Sequence, residues 1–314
     1  MLRRYFLLIL CVGFFGLLAQ KSFASSIDSS QFIKLYEDTL KKLQFGRLDI
    51  HKSDRQKEEA NAQFFAMLQT ALKLPGSFSY PFDSLKTIAR LESPDKQFRI
   101  INWNFPKSDG TEEFFGFVQS LNPKTKKYQV YPLTDKSADM KDLQTKTCTA
   151  DQWIGMLYYK ITIQKADKKP VYTVLAWKGI SKEVNEKVID VITLSPEGAP
   201  SFGKAIFTNL PSNFKNSPKR LTFKYSSNVS MTLDYDSKKD MILFDHLGPT
   251  EPGLEGQYEY YGPSFQIDGL TFINNKWSFK ENIDARNNNN GDDKFQDPEK
   301  DDNHKDKKPI YTPH

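Results

Sequence analysis

The sequence predicts a mainly β protein of the α+β class, in which an N-terminal helical hairpin precedes an antiparallel multi-stranded meander or sandwich. Apolar residues recur at spacings of three and four through residues 28–74 and at a spacing of two after Pro81. Beyond Pro81, short apolar or aromatic runs alternate with Asn, Asp, Gly, Pro and Lys clusters, such as Ser195-Pro196-Glu197-Gly198 and Asn274-Asn275. These connections are too short for the crossovers that parallel strands need, so successive strands should pair antiparallel. The chain has 24 Phe and 14 Tyr against two Cys, so aromatic packing must supply the stability that covalent links would give a smaller fold.

Residues 1–24 have the layout of a cleavable secretory signal peptide. Arg3 and Arg4 form a basic start, Tyr5 to Ala19 form an uncharged apolar run, and Ser22-Phe23-Ala24 offers small residues for cleavage. The run is short for a permanent span, which takes about 20 predominantly apolar residues. Cys11 lies inside it behind Leu10, where a lipidation site would need a small residue. Removing the leader takes away Arg3, Arg4 and Lys21, and 41 basic residues then face 39 acidic ones. Such a near-neutral chain lacks the basic footprint of a nucleic-acid-binding protein. It retains only Cys148, flanked by threonines with no His nearby, which reads as a buried inert thiol.

The hairpin is expected within residues 25–80. Asp28 or Ser29 can cap a first helix that presents Phe32, Leu35, Tyr36, Leu40 and Leu43 along one face and ends at Gly46. Ser53-Asp54-Arg55-Gln56 matches a capping box, which starts a second helix with Ala60, Phe64, Met67, Leu68 and Leu72 inward. Pro75-Gly76 stops it. The β domain should occupy residues 81–285, with strands at 98–103, 113–121, 128–133, 157–164, 171–177, 187–194, 204–207, 220–225, 231–235, 241–246, 257–261, 270–273 and 276–281. The recurring turn, strand and aromatic end suggest a propeller-like alternative, although no fixed repeat period emerges. From Arg286 to His314 the chain is rich in Asn and charge and nearly free of bulky apolar residues, the composition of a disordered tail.

No chemistry-bearing motif dominates. His51, His246, His304 and His314 have no metal-ligand spacing, and counting back from Gly291 puts Arg286 where a calcium loop needs Asp. No metal ion or cofactor is therefore expected. There is no G-x-S-x-G elbow. Asp245, His246 and Glu255 lie beside glycines and prolines at strand ends, where functional groups are commonly mounted, and are the catalytic candidates of a hydrolase reading. Trp103, Trp177, Tyr258, Tyr260 and Tyr261 are the ligand-binding candidates, able to stack on sugar rings or on an aromatic partner surface. On strands, alternate aromatics more commonly face the core.

The stretches Ser93-Pro94-Asp95-Lys96 through Asn104, Tyr158-Tyr159-Lys160-Ile161, Phe244-Asp245-His246-Leu247, Leu254-Glu255-Gly256-Gln257-Tyr258, and Tyr261-Gly262-Pro263-Ser264-Phe265 with Asp268-Gly269-Leu270 resemble a family of exported, uncharacterised β-rich proteins from Bacteroidota. The resemblance spans roughly residues 30–286. It implies a cell-envelope location, periplasmic or extracellular, and carries over no activity or catalytic residue. The expected function is a non-catalytic binding or structural role in the envelope, with an envelope protein or glycan as partner and no membrane span after leader cleavage. The alternative is a secreted hydrolase acting on glycan or another polymer.

Overall fold

The computed structural model describes residues 29–283; the expected leader and charged tail lie outside them. Helix α1 (Ser29–Gly46) and helix α2 (Asp54–Leu72) pack as an antiparallel hairpin. The capping box forms as its residues dictate: the Gln56 amide donates to Ser53 Oγ, while the Ser53 amide donates to Gln56 Oε1 at 3.0 Å. The inward face of α1 differs from the expected one. Ile33, Glu37, Leu40 and Gln44 are buried, while Phe32 and Leu35 are exposed. The cause lies in the irregular segment after α2, whose polar groups need partners. Glu37 accepts from Tyr80 Oη and from the amide and hydroxyl of Ser84. Gln44 donates to the Ser84 carbonyl and accepts from Thr87.

The strands follow as β1 (Ala89–Glu92), β2 (Phe98–Pro106), β3 (Glu112–Asn122), β4 (Lys127–Leu133), β5 (Cys148–Thr149), β6 (Leu157–Ala166), β7 (Lys169–Gly179), β8 (Val184–Leu194), β9 (Pro200–Phe202), β10 (Phe207–Thr208), β11 (Leu221–Ser226), β12 (Leu233–Asp236), β13 (Met241–Pro249), β14 (Tyr261–Ile273) and β15 (Lys276–Lys280). Among the described residues they form three sheets. The first runs β1-β2-β3-β4, the second β5-β9-β8-β7-β6 with β11 beside β8, and the third β10-β15-β14-β13-β12. All pairings are antiparallel except the two-residue contact of β10 with β15. The differing strand numbers and orders are not the repeated blade of a propeller.

The layers stack as helices, first sheet, second sheet and third sheet, with a core between each neighbouring pair. Alternation along the strands makes this possible. On β2, Ile101 and Trp103 face the helices, beside Phe64 and Leu68, while Phe98 and Ile100 face the second sheet. On β8, Val188 and Ile192 face back toward the first sheet, while Ile189 and Val191 face the third, against Leu221, Ile242 and Trp277. Two expected strands are corrected. Residues 258–260 form a 3-10 turn and the strand begins at Tyr261. Residues 204–206 are irregular, because Gly203 at φ +90° turns the chain between β9 and β10. Its amide bonds to the Val191 carbonyl, and a Cβ there would lie 2.5 Å from the Lys146 carbonyl oxygen.

Candidate functional site

The structure distributes the expected site residues over separate layers. Trp103 is fully buried, and its indole N–H donates to Asn61 Oδ1 at 2.8 Å. Trp177 is half-buried against the middle core. Tyr258 and Tyr260 are exposed on the 3-10 turn, and Tyr261 packs partly on the outer core. The five rings therefore form no common platform: the two tryptophans and the tyrosines belong to different layers.

Asp245, His246 and Glu255 likewise make separate contacts. Asp245 accepts from the Thr232 amide at 2.6 Å. His246 holds Asp268 through Nδ1 at 2.6 Å, and the buried Asp268 also accepts from Gln266 Nε2 and the Asn282 amide. Glu255 stands exposed in the turn after β13. His246 sits in a register irregularity between the pairs Asp245↔Ile267 and Leu247↔Pro263, so Ser264 to Gln266 bulge out opposite it and carry the fully exposed Phe265. Asp268 orients the imidazole, but among the described residues no Ser or Cys is hydrogen-bonded to that ring to complete a nucleophilic triad. Cys148 is buried, and burial raises its thiol pKa, which keeps it in the unreactive thiol form.

A concave feature lies elsewhere, a cleft of about 760 Å³ between α2, the turn end of the β2–β3 hairpin and the segment after β4. Helical spacing brings Glu58, Asn61, Ala62 and Phe65 to one side of α2. Both faces of β3 contribute where the hairpin, still paired in register, runs to its turn, through Glu112, Glu113, Phe114 and Phe115, with Phe105 from β2. The rings of Phe65 and Phe115 meet edge-on at 6.4 Å.

Each carboxylate of the cleft has a distinct environment. Glu112 is half-buried, and its pKa is raised by burial although Asn104 donates to it at 2.7 Å. Glu113 pairs with Lys107 across the hairpin. Asp135 accepts from the amides of Ser137 and Gly155 at 2.9 and 3.0 Å. Only glycine fits at 155, since a Cβ would lie 2.0 Å from Asp135 Oδ2. Behind this wall Lys178 donates to Ser137 Oγ at 3.0 Å and lies 5.8 Å from the Phe114 ring centre, with burial lowering its pKa against the pull of Asp135 and Glu186.

No family model, curated protein or solved structure matches the chain. Its site has to be read from its own chemistry. The cleft presents the partly exposed rings of Phe65 and Phe115, backed by the buried Phe105 and Phe114, and four carboxyl groups, and no Lys or Arg lines it. Among the described residues no three His, Cys, Asp or Glu gather as a metal-binding group. An apolar floor with an acidic rim is suited to holding a ligand that is both apolar and cationic. The sequence motifs did not reveal this cleft, whose only local signal is the mixed Glu58, Asn61, Ala62, Phe65 face flanking the core stripe of α2.

Proposed function

We propose that the protein is exported to the cell envelope and acts there as a non-catalytic binding protein, taking a partly apolar, positively charged segment of a partner protein into the cleft beside α2. The leader-like N-terminus supports export, and no helix among the described residues is long and apolar enough to cross a membrane. The observation that carries the binding role is the joining of the partly exposed rings of Phe65 and Phe115 to an exclusively acidic set of charged lining groups. Attraction to that rim steers a cationic segment, and ring burial holds it. The hydrolase alternative would be supported by Asp245, His246 and Glu255 converging, and their separate contacts favour binding instead.

The test uses the leaderless protein and two fluorescent octapeptides, one alternating Leu with Lys and the other Leu with Glu. The Leu–Lys peptide should bind, more weakly at higher salt, and the Leu–Glu peptide should not. Ala62→Trp places an indole in the cleft from an exposed helix position and should weaken binding about tenfold or more. Equal binding of the two peptides, no binding of either, or indifference to Ala62→Trp would overturn the assignment.

A further inference from the structure

A second cavity, of about 420 Å³, lies where the second sheet meets β14 and the turn before it. Its floor is polar. Glu186 on β8 stands between Lys178 on β7 and Lys224 on β11 as their cross-strand neighbour. Both lysines are engaged elsewhere: Lys178 donates to Ser137, and the Lys224 ammonium lies 5.3 Å from the Tyr258 ring centre. The Glu186 side chain, only 7 % exposed, closes no ion pair with either, has Thr222 beside it as a donor, and lines the cavity. Beside it Gln144 donates to Thr222 Oγ1 at 2.7 Å, while Gln144 Oε1 is buried without a hydrogen-bond partner. A buried acceptor of that kind destabilises the fold unless a donor reaches it.

The opposite wall is aromatic. Tyr258 and Tyr261 lie 5.1 Å apart at a tilt of 56°, and the Tyr261 hydroxyl is fixed by the Gly256 amide at 3.0 Å. Phe214 meets Phe223 edge-on at 5.8 Å beside them. Charges of both signs line the cavity, Glu186 between two lysines and Asp142 facing Lys215 at 3.8 Å at the rim. An ion of either sign would meet like charge as well as opposite charge there.

We propose that this cavity is a second binding site, specific for a neutral sugar unit of a glycan chain. A pyranose combines the two properties that the walls require. Its C–H face covers aromatic rings, and its hydroxyls each donate and accept, so one ring can serve Gln144 Oε1 and the Glu186 carboxyl together. The volume falls at the small end of ligand cavities, suited to the end of a short oligosaccharide. Binding moves the Lys224 ammonium off Tyr258 toward Glu186, replacing a cation–π contact with an ion pair and freeing the ring face for the sugar.

The experiment titrates the leaderless protein with maltohexaose, cellohexaose, xylohexaose and mannohexaose, and with hexagalacturonic acid as the charged control, read by calorimetry and saturation-transfer NMR. At least one neutral hexasaccharide should bind. Tyr258→Ala, at an exposed ring, should weaken it about tenfold or more with the melting temperature unchanged, and Glu186→Gln should weaken it less. Ala62→Trp should leave sugar binding intact, so this site and the acidic cleft stand or fall separately. No binding by any neutral member, preference for the acidic one, or indifference to Tyr258→Ala would overturn the proposal.

Discussion

Around the helical hairpin, two arginines are sealed from solvent without an ion pair, whereas in the second sheet a third is sealed in one. Arg47 donates to the carbonyls of Asn104 and Thr87 at 2.8 and 2.6 Å and lies 5.5 and 5.9 Å from the ring centres of Phe64 and Trp103. Arg99 donates to Gln119, Tyr80 and Ser77, between the rings of Phe78 and Phe82. Arg220 also serves loop carbonyls, those of Leu143 and Lys146, but its counter-charge is Asp190 at 3.2 Å with both side chains 1 % exposed. All three satisfy the irregular chain beside a sheet, because one guanidinium brings five N–H groups to carbonyls that no strand reaches. What differs is the answer to the positive charge: ring faces near the helices, an anion among the sheets. Burial accordingly lowers the pKa of Arg47 and Arg99 to about 10, whereas Asp190 raises that of Arg220 despite its burial.

The sharpest way to break this comparison is at the pair. Asp190→Asn leaves Arg220 charged, buried and unanswered, and should cost about 3–5 kcal/mol in urea unfolding. Combining Asp190→Leu with Arg220→Met removes both charges and should cost less than Asp190→Asn alone. If the double variant is the weaker protein, the pair is not what answers the charge of Arg220. A smaller effect is expected at the rings. Arg47→Met should cost about 2–3 kcal/mol through orphaned carbonyls, and Arg47→Lys should not restore it, since one ammonium cannot span Thr87 and Asn104 as the planar fork does. A double-mutant cycle of Arg47→Met with Phe64→Leu should give a coupling of about 1 kcal/mol. Strict additivity would show that the ring is only packing.

Much of the fold is legible in the sequence, because periodicity and turn chemistry act locally. The Ser53–Gln56 capping box and the long strands β2, β3, β7 and β8 follow from neighbours in the chain. The misread elements are those set by distant partners. Glu37 and Gln44 turn inward because residues 80–87 need hydrogen bonds, which leaves Phe32 and Leu35 outside. The run Tyr258-Glu259-Tyr260-Tyr261 alternates like a strand yet forms a turn whose rings close a cavity. Trp103 could be a platform or core by its sequence alone, and Asn61, 42 residues away, makes it core. The candidate sites were least legible, since Gln144, Glu186 and Tyr258 meet only through the stacking of two sheets.

The subtlest test of the two regions uses pH and two buried glutamates. Glu37 accepts from neutral donors in the helical region, and although burial works against its charge, Ser84 and Tyr80, with a smaller pull from Arg90, bring its pKa below the ordinary 4.5. Glu186 lies between lysines in the second sheet, and burial raises its pKa against the pull of Lys224 and Lys178. The signs are opposite. The folded state binds the Glu37 proton more weakly than the unfolded chain, so its contribution is present above pH 4.5 and lost as pH falls through the folded value. It binds the Glu186 proton more strongly, so that contribution is present below pH 4.5 and lost as pH rises through the folded value. Glu37→Gln should therefore lower the melting temperature at pH 7, by a margin that shrinks in acid. Glu186→Gln should raise it at pH 7, again by a margin that shrinks in acid. Melting curves from pH 3 to 8 that shift in the same direction for both variants would show that lysine neighbours stabilise a buried carboxylate here as well as hydroxyl and amide donors do.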